Sequence, residues 1–513
     1  MNDQGSMVDP ANDSTTVAME TPLVESEAHT DVLRDFFCAL VDNDMKVITI
    51  ILESKKADVN MMFDEPYDFV VPRYKGWGPI HIITKHGNIM SLKLLVRLGA
   101  DVALHNKDGD TALHIASRYG SVHCVEFLLA CNKSLINNVN NQGLSPLLRA
   151  VFKFEFAFKG QYNKTIQALL SVGCDTNICS SAKITALHLA ASRGDASLSR
   201  LLLNGGANVN AVCCQGSTPL LKALYAMRVN VQCVKVLLDA GADVEVQTIS
   251  GRSVLHLAII KCDEACVESI LLAGANPNVQ DNYGKTPLWI SVQENNVRLV
   301  PIIVKYGGDV NYCRPPQNLS LLSLAITCQS VSMVEQLIRL GASVDTETAL
   351  CATPLSLAVD VQNIPIIKLL LHENCRLNIV GNSNHTLIPQ TPLQIAFERA
   401  NLNVIKLLMK AGCKVEASWL KPRNLSASLL QNQCVLHWIE DYCRTVQPLL
   451  HMCRVTVRNT IGPGIKDKLE NLCAEAVIPR RLADYLMLTD LLADDKISNN
   501  QLHLGRGNRL NDS

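Results

Sequence analysis

The chain has 513 residues, 47 Lys and Arg against 48 Asp and Glu, and a net charge of −1. That length exceeds one ordinary globular core and calls for several domains or an extended repeat array. The balanced charge excludes a global field of the kind that steers a protein onto nucleic acid or an anionic membrane, so any partner surface must be local.

Met1 to Thr30 holds six acidic residues, no Lys or Arg, and scattered Ser, Thr, Asn and Pro. This composition is too polar to fold alone and predicts a disordered acidic tail over 1–30. The stretch lacks the basic and apolar regions of a secretion signal, and no apolar run approaches the roughly 20 residues of a membrane span. The expected location is the cytoplasm, with the nucleus also open. Nineteen cysteines, an odd number at irregular spacings, read as reduced thiols. Cys124, Cys233 and Cys266 precede apolar runs such as VEFLL and VKVLL, where a thiol packs as a small hydrophobe. Hydrophobic residues make up 48% and aromatics only 5%, which suits many aliphatic helix interfaces better than one large aromatic core.

From about Asp35 a period appears. Its clearest copies are TALHIASRYGSVHCVEFLLA from Thr111, TALHLAASRGDASLSRLLLNGGANVN from Thr185 and KTPLWISVQENNVRLVPIIVKYGGDVN from Lys285. The element starts at 35, 78, 111, 145, 185, 218, 253, 286, 320, 353 and 391, most often 33 residues apart. Thr or Ser can cap a helix, Pro suits its first turn, and Leu with Ala gives a narrow apolar face. A second helix follows as V-x-x-L-L. Gly-Ala ends it, and Asp, Asn and Gly then form a hairpin turn, as in QDNYG over 280–284. A 33-residue period carrying T-P-L-H-x-A closely resembles the ankyrin repeat. The resemblance implies an all-α solenoid of about eleven helix-turn-helix repeats with projecting hairpins over 31–418, the hairpins and inner helices forming a concave face that binds proteins. The copy after Asp35, FFCALVDND, is degenerate, as a capping repeat often is.

Departures from the period mark individual features. The repeat from Ser145 carries seven extra residues between its helices, in VFKFEFAFKGQYN. Phe152, Phe154, Phe156 and Phe158 alternate with Lys153, Glu155 and Ala157, a strand-like spacing inside a helical repeat. Two readings stand: a lengthened helix that buries some of these rings against neighbouring repeats, or an aromatic anchor for a bound substrate protein. Extra residues also lengthen the fingers after Val59 and after Asn378.

The period fades after GCKVE at 412–416, and WLKPRN over 419–424 marks a boundary. Residues 419–446 read as a helical segment that closes the last repeat. Read as a helix, the following PLLHMCRVTVRNTIG sets Leu449, Met452, Cys453, Val457 and Ile461 on one stripe. This stretch closely resembles the first half of a SOCS box, in which a Leu, a Cys four residues on and an aliphatic residue four beyond bind elongin C; here these are Leu449, Cys453 and Val457. AVIPRRLADYL resembles the cullin-contacting half, with Ile478, Pro479, Leu482, Tyr485 and Leu486 at the matching places, although Ala476-Val477 replaces the usual Leu-Pro pair. Together the two resemblances point to the ankyrin repeat and SOCS box family. They imply a small helical SOCS box over 447–490, a disordered tail over 491–513, and a non-catalytic substrate receptor of a ubiquitin ligase. Its implied partners are elongin B, elongin C, cullin five with its RING protein, and a target protein. The alternative is an ankyrin scaffold whose C-terminal helices only cap the solenoid.

Other chemistry finds little support. Gly284-Lys285-Thr286 lacks the glycine a phosphate loop needs, since Val279 stands there. His81, His114, His188 and His256 share the fourth place of the repeat element and read as bridges to backbone groups. Cys434, His437, Cys443 and Cys453 supply only half of a zinc finger's spacing. With no G-x-S-x-G, G-x-G-x-x-G or H-E-x-x-H in the chain, neither enzyme, cofactor nor metal chemistry is expected.

Overall fold

The repeat's opening residues satisfy the N–H groups that a helix leaves unpaired in its first turn. Oγ1 of Thr218 accepts from the N–H of Leu221 at 3.4 Å, and Oγ1 of Thr286 from that of Trp289 at 3.2 Å. Pro219 and Pro287 take the first helical turn, where a missing N–H costs nothing.

The computed structural model describes residues 22–63, 69–152, 159–261, 263–382 and 389–413, with four single positions beyond. They fall in two compact units meeting at Ala242 and Asp243. In the first unit, six helix pairs follow one another: α1 (Pro22–Asp42) with α2 (Met45–Glu53), α3 (Pro79–His86) with α4 (Ile89–Arg97), α5 (Ala112–Arg118) with α6 (Val122–Cys131), α7 (Pro146–Phe152) with α8 (Lys159–Ser171), α9 (Ala186–Ser192) with α10 (Ala196–Asn204), and α11 (Pro219–Tyr225) with α12 (Val231–Asp239). The second unit has five: α13 (Val254–Lys261) with α14 (Glu264–Leu272), α15 (Pro287–Gln293) with α16 (Leu299–Lys305), α17 (Leu321–Thr327) with α18 (Val331–Arg339), α19 (Pro354–Asp360) with α20 (Ile364–His372), and α21 (Pro392–Glu398) with α22 (Leu402–Ala411). The described residues thus form an all-helical repeat array of eleven pairs. Two fingers tighten into short antiparallel ladders, β1 (Cys313–Arg314) with β2 (Leu319–Ser320) and β3 (Gly381–Asn382) with β4 (Pro389–Gln390).

Within each unit, first helices pack on first helices and second helices on second helices, as α5 on α7 and α4 on α6. The core between them is aliphatic: Leu113, Val125, Leu187, Leu202, Leu255 and Ile270 are fully buried. Cys124, Cys233 and Cys266 are fully buried among them, and burial pushes the Cys124 thiol up to about 11.

Asparagines bracket successive repeats. The carboxamide of Asn177 donates to the carbonyl of Gly206 at 3.1 Å and accepts from the N–H of Asn208 at 2.7 Å. Asn60, Asn278 and Asn311 do the same for Gly99 and Asp101, Gly307 and Asp309, and Gly341 and Ser343.

The N-terminus departs from the sequence reading. Helix α1 begins at Pro22, within the segment expected as tail, and places Asp35 in its interior. Its 21 residues compare with seven or eight in the first helices of the next repeats. Leu33, Phe36, Phe37 and Leu40 are buried, a helical stripe that needs one continuous element. The expected finger after Val59 also differs, since Phe63, Tyr74 and Trp77 fold inward and are buried. Phe37 meets Phe63 at 5.2 Å and Tyr74 at 5.8 Å, and Tyr74 meets Trp77 at 5.8 Å, all edge to face. Aromatic pairs of this geometry stabilise beyond their buried area, so the first repeat has a small aromatic core despite the chain's low aromatic content.

Candidate protein-binding face

The face available to a partner is built from the first helices and the fingers that precede them. Histidines fix one to the other. Nδ1 of His114 accepts from the Thr111 N–H at 3.2 Å, while Nε2 donates to the carbonyls of Asn138 and Leu144 at 3.0 and 3.1 Å. His81, His188 and His256 repeat the arrangement, reaching Leu104, Ser217 and Lys285. A backbone N–H only donates and a carbonyl only accepts, so each ring is neutral with its proton on Nε2. Burial holds these histidines below their ordinary value, His81 down to about 4. They are architecture, as the repeat element implies. Where no His stands, Gln394 accepts from the Thr391 N–H at 2.7 Å.

Glycine sets how closely neighbouring fingers approach. Gly109 has φ +75° and would place a Cβ 2.7 Å from the Asn141 nitrogen of the next finger, so only a residue without a side chain fits there. In the second unit the fingers are laced edge to edge. Asn282 N–H donates to the Ser250 carbonyl at 3.1 Å, Arg314 Nε to the Tyr283 carbonyl at 2.8 Å, and Ala349 N–H to the Gln317 carbonyl at 2.8 Å. This ladder presents Ile249, Tyr283 and Leu350 at 88%, 64% and 50% exposure. Apolar tips on a tied-down scaffold are ready-made contact points.

In the first unit the exposed apolar residues include Val139 and Val212 in the fingers and, at the trailing ends of the first helices, Tyr119, Phe152 and Tyr225, with Met227 just beyond. Arg193 Nη2 donates to the Phe152 carbonyl at 2.8 Å, Arg193 Nη1 donates to the Val151 carbonyl, and Tyr162 donates to the Arg118 carbonyl at 3.0 Å. These bonds tie the end of α7 to α9 and the end of α5 to α8. Between helices, Arg149 pairs with Asp110 on both oxygens, and Asn140 donates to Asp110 at 2.7 Å.

Of the sequence-proposed substrate residues, Phe152 is exposed at the end of α7, while Phe154, Phe156 and Phe158 lie outside the described residues. The insertion falls between α7 and α8 as the period requires, and α8 has 13 residues against nine or ten in α6 and α10. Leu449, Met452, Cys453, Val457 and Ile461, and likewise Ile478, Pro479, Leu482, Tyr485 and Leu486, lie outside the described residues. Sequence reading passed over Tyr119, Tyr225, Ile249, Tyr283 and Leu350. Their signal was positional: Tyr119 and Tyr225 stand at the end of a first helix and Ile249, Tyr283 and Leu350 in the finger turns, where polar residues ordinarily stand. Among the described residues no group of three or more His, Cys, Asp or Glu is arranged to hold a metal, and no helix is long and apolar enough to cross a membrane.

Comparison with known proteins agrees with this architecture. The family described as "Ankyrin repeats (3 copies)" matches in overlapping segments at 80–155, 154–248, 224–313, 255–348 and 322–418. The chain belongs to the ankyrin repeat family. It is similar to mouse Ankyrin repeat and SOCS box protein 14, 29% identical over 184 residues, covering 34% of this chain and 29% of that protein. It is similar as well to the chicken Nuclear factor NF-kappa-B p105 subunit, 31% identical over 175 residues, covering 33% of this chain and 17% of that one. The matched stretches thus span less than a third of either relative. Among solved structures, the human ASB11 ankyrin repeat domain is matched at 24% identity with a TM-score of 0.37, covering 45% of this chain and 99% of that domain. Ankyrin repeats bind protein partners, and protein–protein interaction is the activity this array carries.

Proposed function

We propose that the chain is the substrate-recognition receptor of a ubiquitin ligase, its array holding a target protein and its C-terminal SOCS box binding elongin B and elongin C and, through them, cullin five with its RING partner. The observation that carries this reading is the run PLLHMCRVTVRNTIG at 448–462, C-terminal to an eleven-pair array. The similarity to a protein named for both modules supports it. The receptor itself makes and breaks no bond and needs no cofactor. It contributes position, raising the effective concentration of a target lysine beside the ubiquitin thioester, in the cytoplasm or the nucleus and without nucleic acid or membrane.

Expression of the full chain with elongin B and elongin C tests the proposal. The wild type is expected to copurify with both, and a Leu449→Ala, Cys453→Ala double variant to lose them. Wild-type protein that emerges without elongins overturns it.

A second reading, a scaffold whose C-terminal helices cap the array, draws on Leu469, a side chain only 1% exposed beyond the last repeat. It predicts that removal of residues 447–513 destabilises the array. The receptor reading predicts an array that stays folded.

A further inference from the structure

The fourth residue of the repeat element divides the array along its sequence. From α3 to α13 it reads His81, His114, Leu148, His188, Leu221 and His256, and from α15 to α21 it reads Trp289, Ser323, Ser356 and Gln394. Imidazoles can take up a proton just below neutrality, and the side chains at the later positions cannot.

The change of residue is also a change of fastening. Each imidazole accepts from the N–H at its own helix start, at 3.1 Å from Gly78, 3.2 Å from Thr111, 3.3 Å from Thr185 and 3.1 Å from Ser253, and donates to a carbonyl of the next finger. The Leu148 and Leu221 repeats sit between such joints, since His114 and His188 grip the fingers ahead of α7 and α11. Ser356 instead turns back on its own cap, accepting from the Thr353 N–H at 2.9 Å and donating to the Thr353 carbonyl at 2.8 Å, and Ser323 accepts from the Ser320 hydroxyl at 3.0 Å. The later fingers are held by donors that keep their protons in mild acid. Tyr312 donates to the Gly284 carbonyl at 2.6 Å, Arg314 to that of Tyr283 at 2.8 Å, and Asn318 to that of Glu347 at 2.9 Å.

A protonated ring loses its acceptor, so that Nδ1–H meets a backbone N–H. The charged groups facing the rings do not compensate. Asp110, beside His81 and His114, is already held on both oxygens by Arg149. His105 also faces His81, Lys222 faces His188, and Asp281 beside His256 is shared with Arg252 at 3.9 Å. Below pH 6.5 the unfolded form therefore binds protons that the folded form refuses, and stability falls with pH. In the later repeats burial raises the Asp345 carboxyl, which has the opposite sign and favours the folded form in acid.

We propose that mild acid opens this array selectively: the repeats from α3 to α14 loosen between neutral pH and pH 5, while those from α15 to α22 stay closed. Repeats couple chiefly to their neighbours, so one stretch can open without the other. A protein held by the fingers at 104–110 or 138–144 would be released, and one held at Leu350 retained. The inference goes beyond the receptor reading and does not depend on it.

Hydrogen exchange of the full chain tests it, read by mass spectrometry at pH 7.5 and pH 5 and corrected for the intrinsic pH dependence of exchange. The lower value stays above the ordinary carboxylate range. Protection in α3, α5 and α9 is expected to drop roughly tenfold or more, and in α17, α19 and α21 to stay level. A chain with His81→Gln, His114→Gln, His188→Gln and His256→Gln should show no drop, since Gln394 already takes the Thr391 N–H at this place. Should that chain not fold, His188→Gln alone decides: it should lessen the drop in α9 and α11 and leave that in α3. Level protection throughout the wild type, equal drops in α5 and α17, or an α9 drop in His188→Gln as large as the wild type's overturns the proposal.

Discussion

The Nε2–H of His256 donates to the carbonyl of Lys285, 29 residues away, at 2.9 Å, while Nδ1 of the same ring accepts from the Ser253 N–H at 3.1 Å. One neutral imidazole thus caps its own helix and holds the next finger.

That relationship sets a pH dependence. Protonated Nδ1 would face a backbone N–H donor to donor, and burial lowers the folded value of all four bridging histidines, His81 from 6.5 to about 4. The unfolded chain therefore binds more protons below pH 6.5. The stabilisation is complete above that value and is lost as pH falls toward 4, with His81 alone contributing about 3 kcal/mol. Urea midpoints measured between pH 7.5 and 5 should fall, and less steeply in a His81→Gln chain. A midpoint that does not move with pH contradicts the assignment.

Asp110 and Arg149 make a buried pair with side-chain exposures of 1% and 12%. Arg149→Met leaves the carboxylate buried with Asn140 as its remaining side-chain donor and should cost about 3–5 kcal/mol. Adding Asp110→Asn removes the stranded charge, so the double variant should be more stable than the single one by chemical denaturation. A double variant weaker than Arg149→Met would refute the account.

Two glycines separate backbone strain from collision. Gly173, at φ +88°, has nothing within 4 Å of the place a Cβ would take, whereas Gly109, at φ +75°, has the Asn141 nitrogen at 2.7 Å. Gly173→Ala should cost about 1 kcal/mol for the backbone alone, and Gly109→Ala clearly more. Thermal unfolding followed by circular dichroism distinguishes them, and equal losses would show that the fingers yield freely.

Trp77→Ala removes a ring from the cluster of Phe37, Phe63 and Tyr74 and should cost about 3–5 kcal/mol. Because repeats stabilise chiefly their neighbours, hydrogen-exchange protection should drop most in α1 to α3. Uniform loss of protection across the chain would contradict a local cluster.

Much of the array was legible because its signals are local. Thr111, Thr185, Thr218, Thr286, Thr353 and Thr391 all cap the helices that the period assigned to them, since cap chemistry depends on a few adjacent residues. The start of α1 was missed although Thr21-Pro22-Leu23 spells the same opening, because the acidic composition around it outweighed one tripeptide. Inward folding of Phe63, Tyr74 and Trp77 depends on Phe37, a contact across tens of residues that no period reports. The finger tips Ile249, Tyr283 and Leu350 looked like turn residues until their exposure gave them meaning.

The bracketing asparagines make the array a clock. Each carboxamide both donates to a glycine carbonyl and accepts from an N–H. Spontaneous hydrolysis of the side chain to a carboxylate keeps the acceptor and deletes the donor. Two repeats carry a carboxylate at this place and keep the acceptor half alone: Glu245 accepts from the Asn276 N–H at 2.8 Å, and Asp345 from the Arg376 N–H at 2.7 Å. Each such event is expected to cost one bracket its donor bond and to add one negative charge at that joint.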